Sequence, residues 1–561
     1  MSMMMDYEFH DYDDEYTPLE DSGDRRRLKK KKKKQLTMSR KSMRLPPASD
    51  TTYRGGNHFD QEKRRSCLCR VCCFLCNCWT VVIVLSTMWA TWLTLWLVST
   101  YLLGPAGDSS STPGGGTHVN VNGDMNADLV RIPYETASAK GALCLDGSAP
   151  AFYHRPGHGE GNVSWIVHLP DGQWCYNATN CFQRSRTSLG SSSQLPSSIA
   201  LQGILSDDPD INPDFHHWHA VQLHYCDGAS FSGDSPTALS VLDDGVIYQR
   251  GRLILDTIIA HLLSATGMNT AQRVILTGTG SGGLGVFMMA DHVKSLLPNT
   301  TTLHALADSA FYPDTFNRTN FMHIRLQFQR LFNLHRLTEG LDSSCFKSIL
   351  VSDPGSTWQC MFPEYGARFV STPLFIANSM YEPWSLWFIL NMRCHPASCP
   401  DIAPQMVQYG EDLVGLLRQH AGQLSSEDGV FVTSCYEGDL IGQGWGNVVV
   451  DGNSLREAFA KWYFNRTDPA LADHRSGLDV NATSVANTTT TSSWSGVHWS
   501  VDCMGNYRCN QHCDWSEKHY ELIADRLKAM DDFFIHPPPS ARTKQRRAPY
   551  KSRVVTLNAI L

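Results

Sequence analysis

Between Val71 and Gly107 the sequence has no charged residue. The core of this stretch, Trp79 to Leu103 (WTVVIVLSTMWATWLTLWLVSTYLL), is 25 residues long. At about 1.5 Å per residue it crosses a hydrocarbon layer of roughly 30 Å with some tilt. Buried core helices are shorter and amphipathic, and a cleaved signal peptide starts nearer the N-terminus with a shorter apolar core. The run therefore reads as a transmembrane helix. Basic residues are also missing after it, with none until Arg131. The preceding flank is crowded with them: Arg25, Arg26, Arg27, Lys29 to Lys34, Arg40, Lys41, Arg44, Lys63, Arg64, Arg65 and Arg70. Positive charge stays on the cytosolic side, so the expectation is a type II protein of the Golgi or plasma membrane, with its N-terminus cytosolic and its main domain luminal or extracellular. Sequons are absent ahead of the span. All seven, at Asn162, Asn177, Asn299, Asn317, Asn465, Asn481 and Asn487, follow it, where glycosylation is possible.

The basic run in isolation resembles a nucleic-acid or nuclear-localisation patch. Beside a membrane span it reads instead as a contact for anionic lipid, at roughly 1 kcal/mol per basic residue near the surface. No nucleic-acid partner is expected. No histidine joins Cys67, Cys69, Cys72, Cys73, Cys76 and Cys78 just inside the membrane, so S-palmitoylation is a better reading there than a zinc cluster. The other twelve of the 18 cysteines, Cys144, Cys175, Cys181, Cys226, Cys345, Cys360, Cys394, Cys399, Cys435, Cys503, Cys509 and Cys513, follow the span. An even number in an oxidising compartment predicts disulfides, with the pairing left open.

The 561 residues divide by composition. Residues 1–65 form a disordered basic cytosolic arm, 66–78 a Cys-rich juxtamembrane segment and 79–103 the span. A Gly/Ser stem covers 104–128, the luminal domain 129–536 and a basic tail 537–561, with a Ser/Thr-rich loop near Val480 to Ser495. Inside the domain, Trp165 to Leu169, Ala220 to Tyr225, Arg273 to Thr277, Thr372 to Ala377 and Gly429 to Thr433 are short apolar runs suited to buried strands. Between them, Arg252 to Ser264 repeats apolar residues at helical spacing, and Ile523, Leu527, Met530 and Phe534 form the stripe of a last helix. Strands alternating with helices predict an α/β fold with a doubly wound, mostly parallel sheet, whose chemistry lies at the carboxyl ends of the strands.

One such end stands out. The run Arg273 to Thr277 leads into Gly278-Thr279-Gly280-Ser281-Gly282-Gly283 and then a helical stretch, the strand–turn–helix layout of a G-x-S-x-G nucleophile elbow. Gly278 and Gly282 hold the flanking small positions, which puts Gly280 at the apex. Glycine adopts the strained apex geometry without cost, so the turn survives while the nucleophile is lost.

These residues resemble the pectin acetylesterases of plants and the related Notum carboxylesterases. Gly141 to Pro150 (GALCLDGSAP), Tyr225 to Asp234 (YCDGASFSGD), Ala307 to Phe311 (ADSAF) and the Cys-rich stretch from Asp502 to Cys513 are similar to that family's signature segments. The resemblance implies an α/β-hydrolase domain with a Ser, Asp, His triad that needs no cofactor and no metal. It places Gly280 at the serine, Glu382 (in Ala377 to Trp384) at the aspartate and Gly438 (after Ser434-Cys435) at the histidine. It assigns the oxyanion turn to Pro170-Asp171-Gly172-Gln173-Trp174-Cys175, with Gly172 the one glycine kept of the family's run, and Gly172, Gln173, Trp174 and Ser281 around the hole. Glutamate for aspartate is tolerable, since the acid orients the histidine and other α/β-hydrolases use glutamate. Loss of the serine or the histidine each costs about a millionfold. The implied function is a membrane-anchored pseudoenzyme that binds acylated glycans or lipidated proteins. Two alternatives stand beside it. One is an active polysaccharide O-deacetylase using Ser281 with a relocated base such as His395, His498 or His512. The other is a membrane scaffold.

Overall fold

A computed structural model describes residues 126–241, 245–315, 323–337, 341, 343–421, 427–465 and 498–534, with Trp89 standing alone ahead of them. The basic arm, the juxtamembrane cysteines, the 79–103 span apart from Trp89, the stem up to residue 125, the Val480–Ser495 loop, the 537–561 tail and the sequons at Asn317, Asn481 and Asn487 lie outside the described residues. Among the described residues no helix is long and apolar enough to cross a membrane.

Ten strands make one sheet. The first five are β1 (Ala127–Arg131), β2 (Ala151–Arg155), β3 (Ser164–Leu169), β4 (Ser198–Ile199) and β5 (His219–Leu223). The others are β6 (Arg273–Thr279), β7 (Thr302–Asp308), β8 (Leu374–Ser379), β9 (Gly429–Thr433) and β10 (His498–Val501). Their spatial order is β10-β9-β8-β7-β6-β3-β5-β2-β1-β4. Every pairing from β10 to β5 is parallel, whereas β5–β2, β2–β1 and β1–β4 are antiparallel. The central strands β3, β8 and β9 are buried along their whole length, as parallel strands covered on both faces must be.

Alternation along each strand divides two cores. Val274 and Leu276 of β6 join the larger one, with Val167, Ile376 and Val430. Ile275, between them, joins the smaller one with Ile166, Phe375 and Phe431. Helices α2 (Gly251–Ala265), α3 (Ser281–Leu296), α4 (His323–His335) and α5 (Ala403–Ala421) cover the first face. Helix α6 (Leu455–Tyr463) covers the second through Phe459 and Trp462. Other pieces include the short α1 (Ala178–Ser185), the closing α7 (Glu517–Phe534) and further helices at Tyr134–Lys140 and Ser343–Ser352.

All twelve cysteines after the span are paired: Cys144–Cys226, Cys175–Cys181, Cys345–Cys360, Cys394–Cys399, Cys435–Cys513 and Cys503–Cys509. Two of these bridges close loops of 82 and 78 residues. In the chain-entropy account, loops that long give the larger stabilisation, about 4–5 kcal/mol each. Asn162, Asn177, Asn299 and Asn465 are exposed, as glycosylation at those sequons requires.

Candidate functional site

The carboxyl ends of β3, β6 and β8 meet at one edge of the domain. At β6 the chain turns through Gly280, at φ 57° and ψ −120°, straight into α3. A residue with a Cβ is strained in that region, and glycine is not. The amide of Gly280 donates to the Asp308 carbonyl at the end of β7 over 2.9 Å. A Cβ on Gly282 would overlap the main-chain carbonyl of Leu169, so the close crossing of α3 over β3 depends on this second glycine.

Beyond β3 runs the turn Pro170–Cys175, with Gln173 in the left-handed region at φ 58°. Three groups hold it. Arg184, buried in α1, donates to the carbonyls of Gly172 and Trp174. The Tyr225 hydroxyl donates to the Gln173 carbonyl, and the Trp174 indole N–H donates to Ser230 Oγ over 2.7 Å. The Cys175–Cys181 bridge ties the end of the turn to α1. Burial lowers the Arg184 pKa, while Tyr225, Asp171 and Asp227 oppose that loss of charge.

Where the turn faces the elbow, Asp171 Oδ1 accepts three hydrogen bonds: Ser281 N–H at 2.9 Å, Ser281 Oγ–H at 2.8 Å and Gln173 N–H at 3.3 Å. Ser281 Oγ in turn accepts from Gly172 N–H over 2.9 Å. A Cβ on Gly280 would lie 2.7 Å from Asp171 Oδ1 and 2.8 Å from its Cγ. The carboxylate therefore fills the space into which a side chain at the apex would project.

After β8, Glu382 is buried and accepts from the Trp384 amide at 2.8 Å and the Ser385 amide at 2.7 Å. Burial, aided by the charge of Asp171, pushes its carboxyl up to about 7. A Cβ on Gly438, in the loop after β9, would lie 3.2 Å from Glu382 Oε1. Beside these residues lies a narrow aromatic recess walled by Trp174, Phe328, Trp384 and Phe388, with Gln173 and Gln327 at its polar side. The Trp174 ring meets Trp384 edge-on at 5.1 Å and Phe328 at 5.3 Å. Helix α7 leans on this wall. Leu527 packs with Trp387 and Phe388, and Met530 Sδ accepts from Gln173 Nε2.

Comparison with known proteins agrees with this geometry. The family model described as Pectinacetylesterase matches residues 124–514. The chain belongs to the pectinacetylesterase family. Pectin acetylesterase 5 of Arabidopsis thaliana is 31% identical over 368 residues, covering 62% of this chain and 83% of the relative. Pectin acetylesterase 11 of the same plant is 30% identical over 383 residues, covering 65% and 95%. The palmitoleoyl-protein carboxylesterase Notum of Drosophila melanogaster is 29% identical over 355 residues, covering 61% of this chain and 49% of that protein. A solved structure of the Wnt deacylase Notum from Drosophila superposes with a TM-score of 0.54 at 24% identity, over 69% of this chain and 99% of that one, and shares its α/β-hydrolase-like fold.

Within this pectinacetylesterase domain the structure brings Gly280, Ser281, Gly172 and Gln173 together at the elbow, and sets Glu382 beside Gly438. Ser281 is buried, and among the described residues no histidine is its hydrogen-bond partner. His395 is committed to the Trp515 carbonyl and the Ala397 amide, and His512 is exposed. The side chain of His498 lies outside the described residues. His519 of α7, which sequence reasoning did not single out, places Nε2 3.1 Å from the Tyr436 carbonyl. Among the described residues two groups cluster metal-ligand atoms, Cys175/Cys181/His335 and Asp502/Cys503/Cys509, but each has both sulfurs in a disulfide and no thiolate to offer. The residue that the sequence reading passed over is Asp171. Its signal was present as an acid standing inside what the family keeps as a run of glycines.

Proposed function

We propose that this chain is a catalytically silent, membrane-anchored pectinacetylesterase whose extracytosolic domain binds macromolecules carrying acyl groups. One observation carries the reading: the apex of the elbow keeps a nucleophile's backbone conformation but holds glycine, Gly280, with no side chain to attack a carbonyl. Gly438 supplies no imidazole beside Glu382, and loss of serine or histidine alone removes about a millionfold of rate. The relatives are named as a pectin acetylesterase and a palmitoleoyl-protein carboxylesterase, so the ligand class proposed is an acylated glycan or a lipidated protein. The aromatic recess beside Trp174 offers an apolar wall for such an acyl group.

The uncharged 25-residue run, the basic flank before it and the seven sequons after it support a type II anchor in the Golgi or plasma membrane, with anionic lipid under the basic arm and palmitoylated cysteines at the membrane face. Full-length protein in detergent micelles is assayed with a short-chain aryl ester and a serine-directed fluorophosphonate. The expected result is neither turnover nor labelling. Turnover lost in Ser281→Ala, together with label on Ser281, overturns the silent reading in favour of a deacetylase.

A further inference from the structure

We infer that Asp171 is a tethered ligand of the oxyanion hole: the turn keeps a built carboxylate-binding site, which the chain fills with its own side chain. This rests on the reading that the elbow no longer performs chemistry.

In α/β-hydrolases the hole is formed by the main-chain N–H of the residue after the nucleophile and another from the loop after the third strand. Here those donors are the amides of Ser281 and Gln173, and both point at one oxygen, Asp171 Oδ1, at 2.9 and 3.3 Å. The Ser281 hydroxyl adds a third donor at 2.8 Å, and the Gly172 amide behind it fixes its orientation. Three donors on one oxygen suit an anion far better than a neutral carbonyl.

The donors are held in place independently of Asp171. Ser281 opens the 16-residue α3, and the Gln173 turn is pinned through its carbonyls by the Tyr225 hydroxyl and the Arg184 guanidinium. Arg184 is fully buried, and its charge interacts favourably with the Asp171 carboxylate, while the carboxyls of Glu382 and Asp439 interact with it unfavourably. Asp171 itself is exposed, so its carboxylate reaches the hole from the solvent side and leaves without disturbing the core. With that carboxylate gone, the hole remains, and its Gln173 also lines the aromatic recess of Trp174 and Trp384. The ligand it then fits is a carboxylate on an apolar body, its head on the three donors and its body along that recess.

Full-length protein in micelles is titrated with 4-(trifluoromethyl)phenylacetate and followed by fluorine NMR, with the corresponding amide as the uncharged control. Wild type is expected to bind both weakly. Asp171→Gly is expected to tighten the carboxylate at least tenfold and leave the amide unchanged. Asp171→Asn, which preserves the volume and removes the charge, is expected to give a smaller gain in the same direction, and it decides the question if the glycine variant melts early. Equal gains for acid and amide, or no gain in a variant that melts like wild type, overturn the inference. Aryl-ester turnover is read in the same samples. Turnover would defeat the silent-enzyme proposal alone, while the binding ratios judge the tether.

Discussion

At the scale of single residues, Glu382 has no histidine as a hydrogen-bond partner among the described residues. In a triad the acid orients a histidine and stabilises its positive charge; here it is buried against two amides with Gly438 alongside. Burial raises it to about 7 in the fold from 4.5 in the unfolded chain. Between those values the unfolded chain releases the proton first, so rising pH favours unfolding across that window. Glu382→Gln is therefore expected to match wild type near pH 4.5 and to be more stable at pH 7.5, by on the order of 1–3 kcal/mol. Denaturant melts at the two pH values check this, and a variant equally destabilised at both would show that the carboxylate is needed for packing. Gly280, Glu382 and Gly438 were named from motif spacing, and the structure sets Gly280 at the turn into α3 and Gly438 beside Glu382. Asp171 could be seen as an acid in the turn, but its contacts could not, because the Ser281 donors lie 110 residues away in sequence. No local pattern reports an acid folded back onto a distant turn.

At the scale of elements, the runs read as strands from Trp165, Ala220, Arg273, Thr372 and Gly429 all became strands of the sheet, with ends shifted by at most two residues. They were legible because a strand buried on both faces is a short, nearly unbroken apolar run. The antiparallel side was not. Strand β2 reads Ala-Phe-Tyr-His-Arg, and its Arg155 is buried with its guanidinium on the Leu205 and His216 carbonyls. A charged residue satisfied by distant carbonyls hides a strand from any hydropathy pattern. Helix interiors differ as well. Gly282 in α3 has the Leu169 carbonyl where a methyl would go, while Gly415 in α5 is exposed with open space around it. Gly415→Ala is expected to stabilise the domain by about 0.5–1 kcal/mol, and Gly282→Ala to prevent a folded product. The yield of folded protein and thermal melting distinguish the two, and a well-folded Gly282→Ala protein would contradict the close crossing of α3 over β3.

At the scale of the whole molecule, two sets of buried groups pull against each other as pH changes. Burial holds His154, His168, His219 and His335 at about 4, with neighbouring positive charge adding to this at His154, His219 and His335. The unfolded chain takes up those protons first, so stability falls as pH drops from 6.5 towards 4. Burial also raises Asp227, Glu364 and Glu382 to about 7 and Asp308 well above its usual range, so stability falls as pH climbs from about 4 towards 7. Across pH 4.5–6.5 the slopes oppose, and above 6.5 only the carboxyls remain. The melting temperature is expected to vary by no more than about 3 °C between pH 5 and 6.5 and to decline from pH 6.5 as the pH passes through about 7. A steep fall towards acid in calorimetry would show that the histidines dominate.

The glycine at position 280 also bears on how this lineage can change. A serine there would hold a backbone strain of about 1–3 kcal/mol, which glycine releases. With glycine at the apex the neighbouring turn has room for an acid, and Asp171 Oδ1 stands 2.7 Å from where a side chain would begin. Reverting to serine alone would restore the strain and collide with that acid, and reverting Asp171 alone would leave the apex bare. A nucleophile at the apex therefore needs two substitutions made together, one at 280 and one at 171.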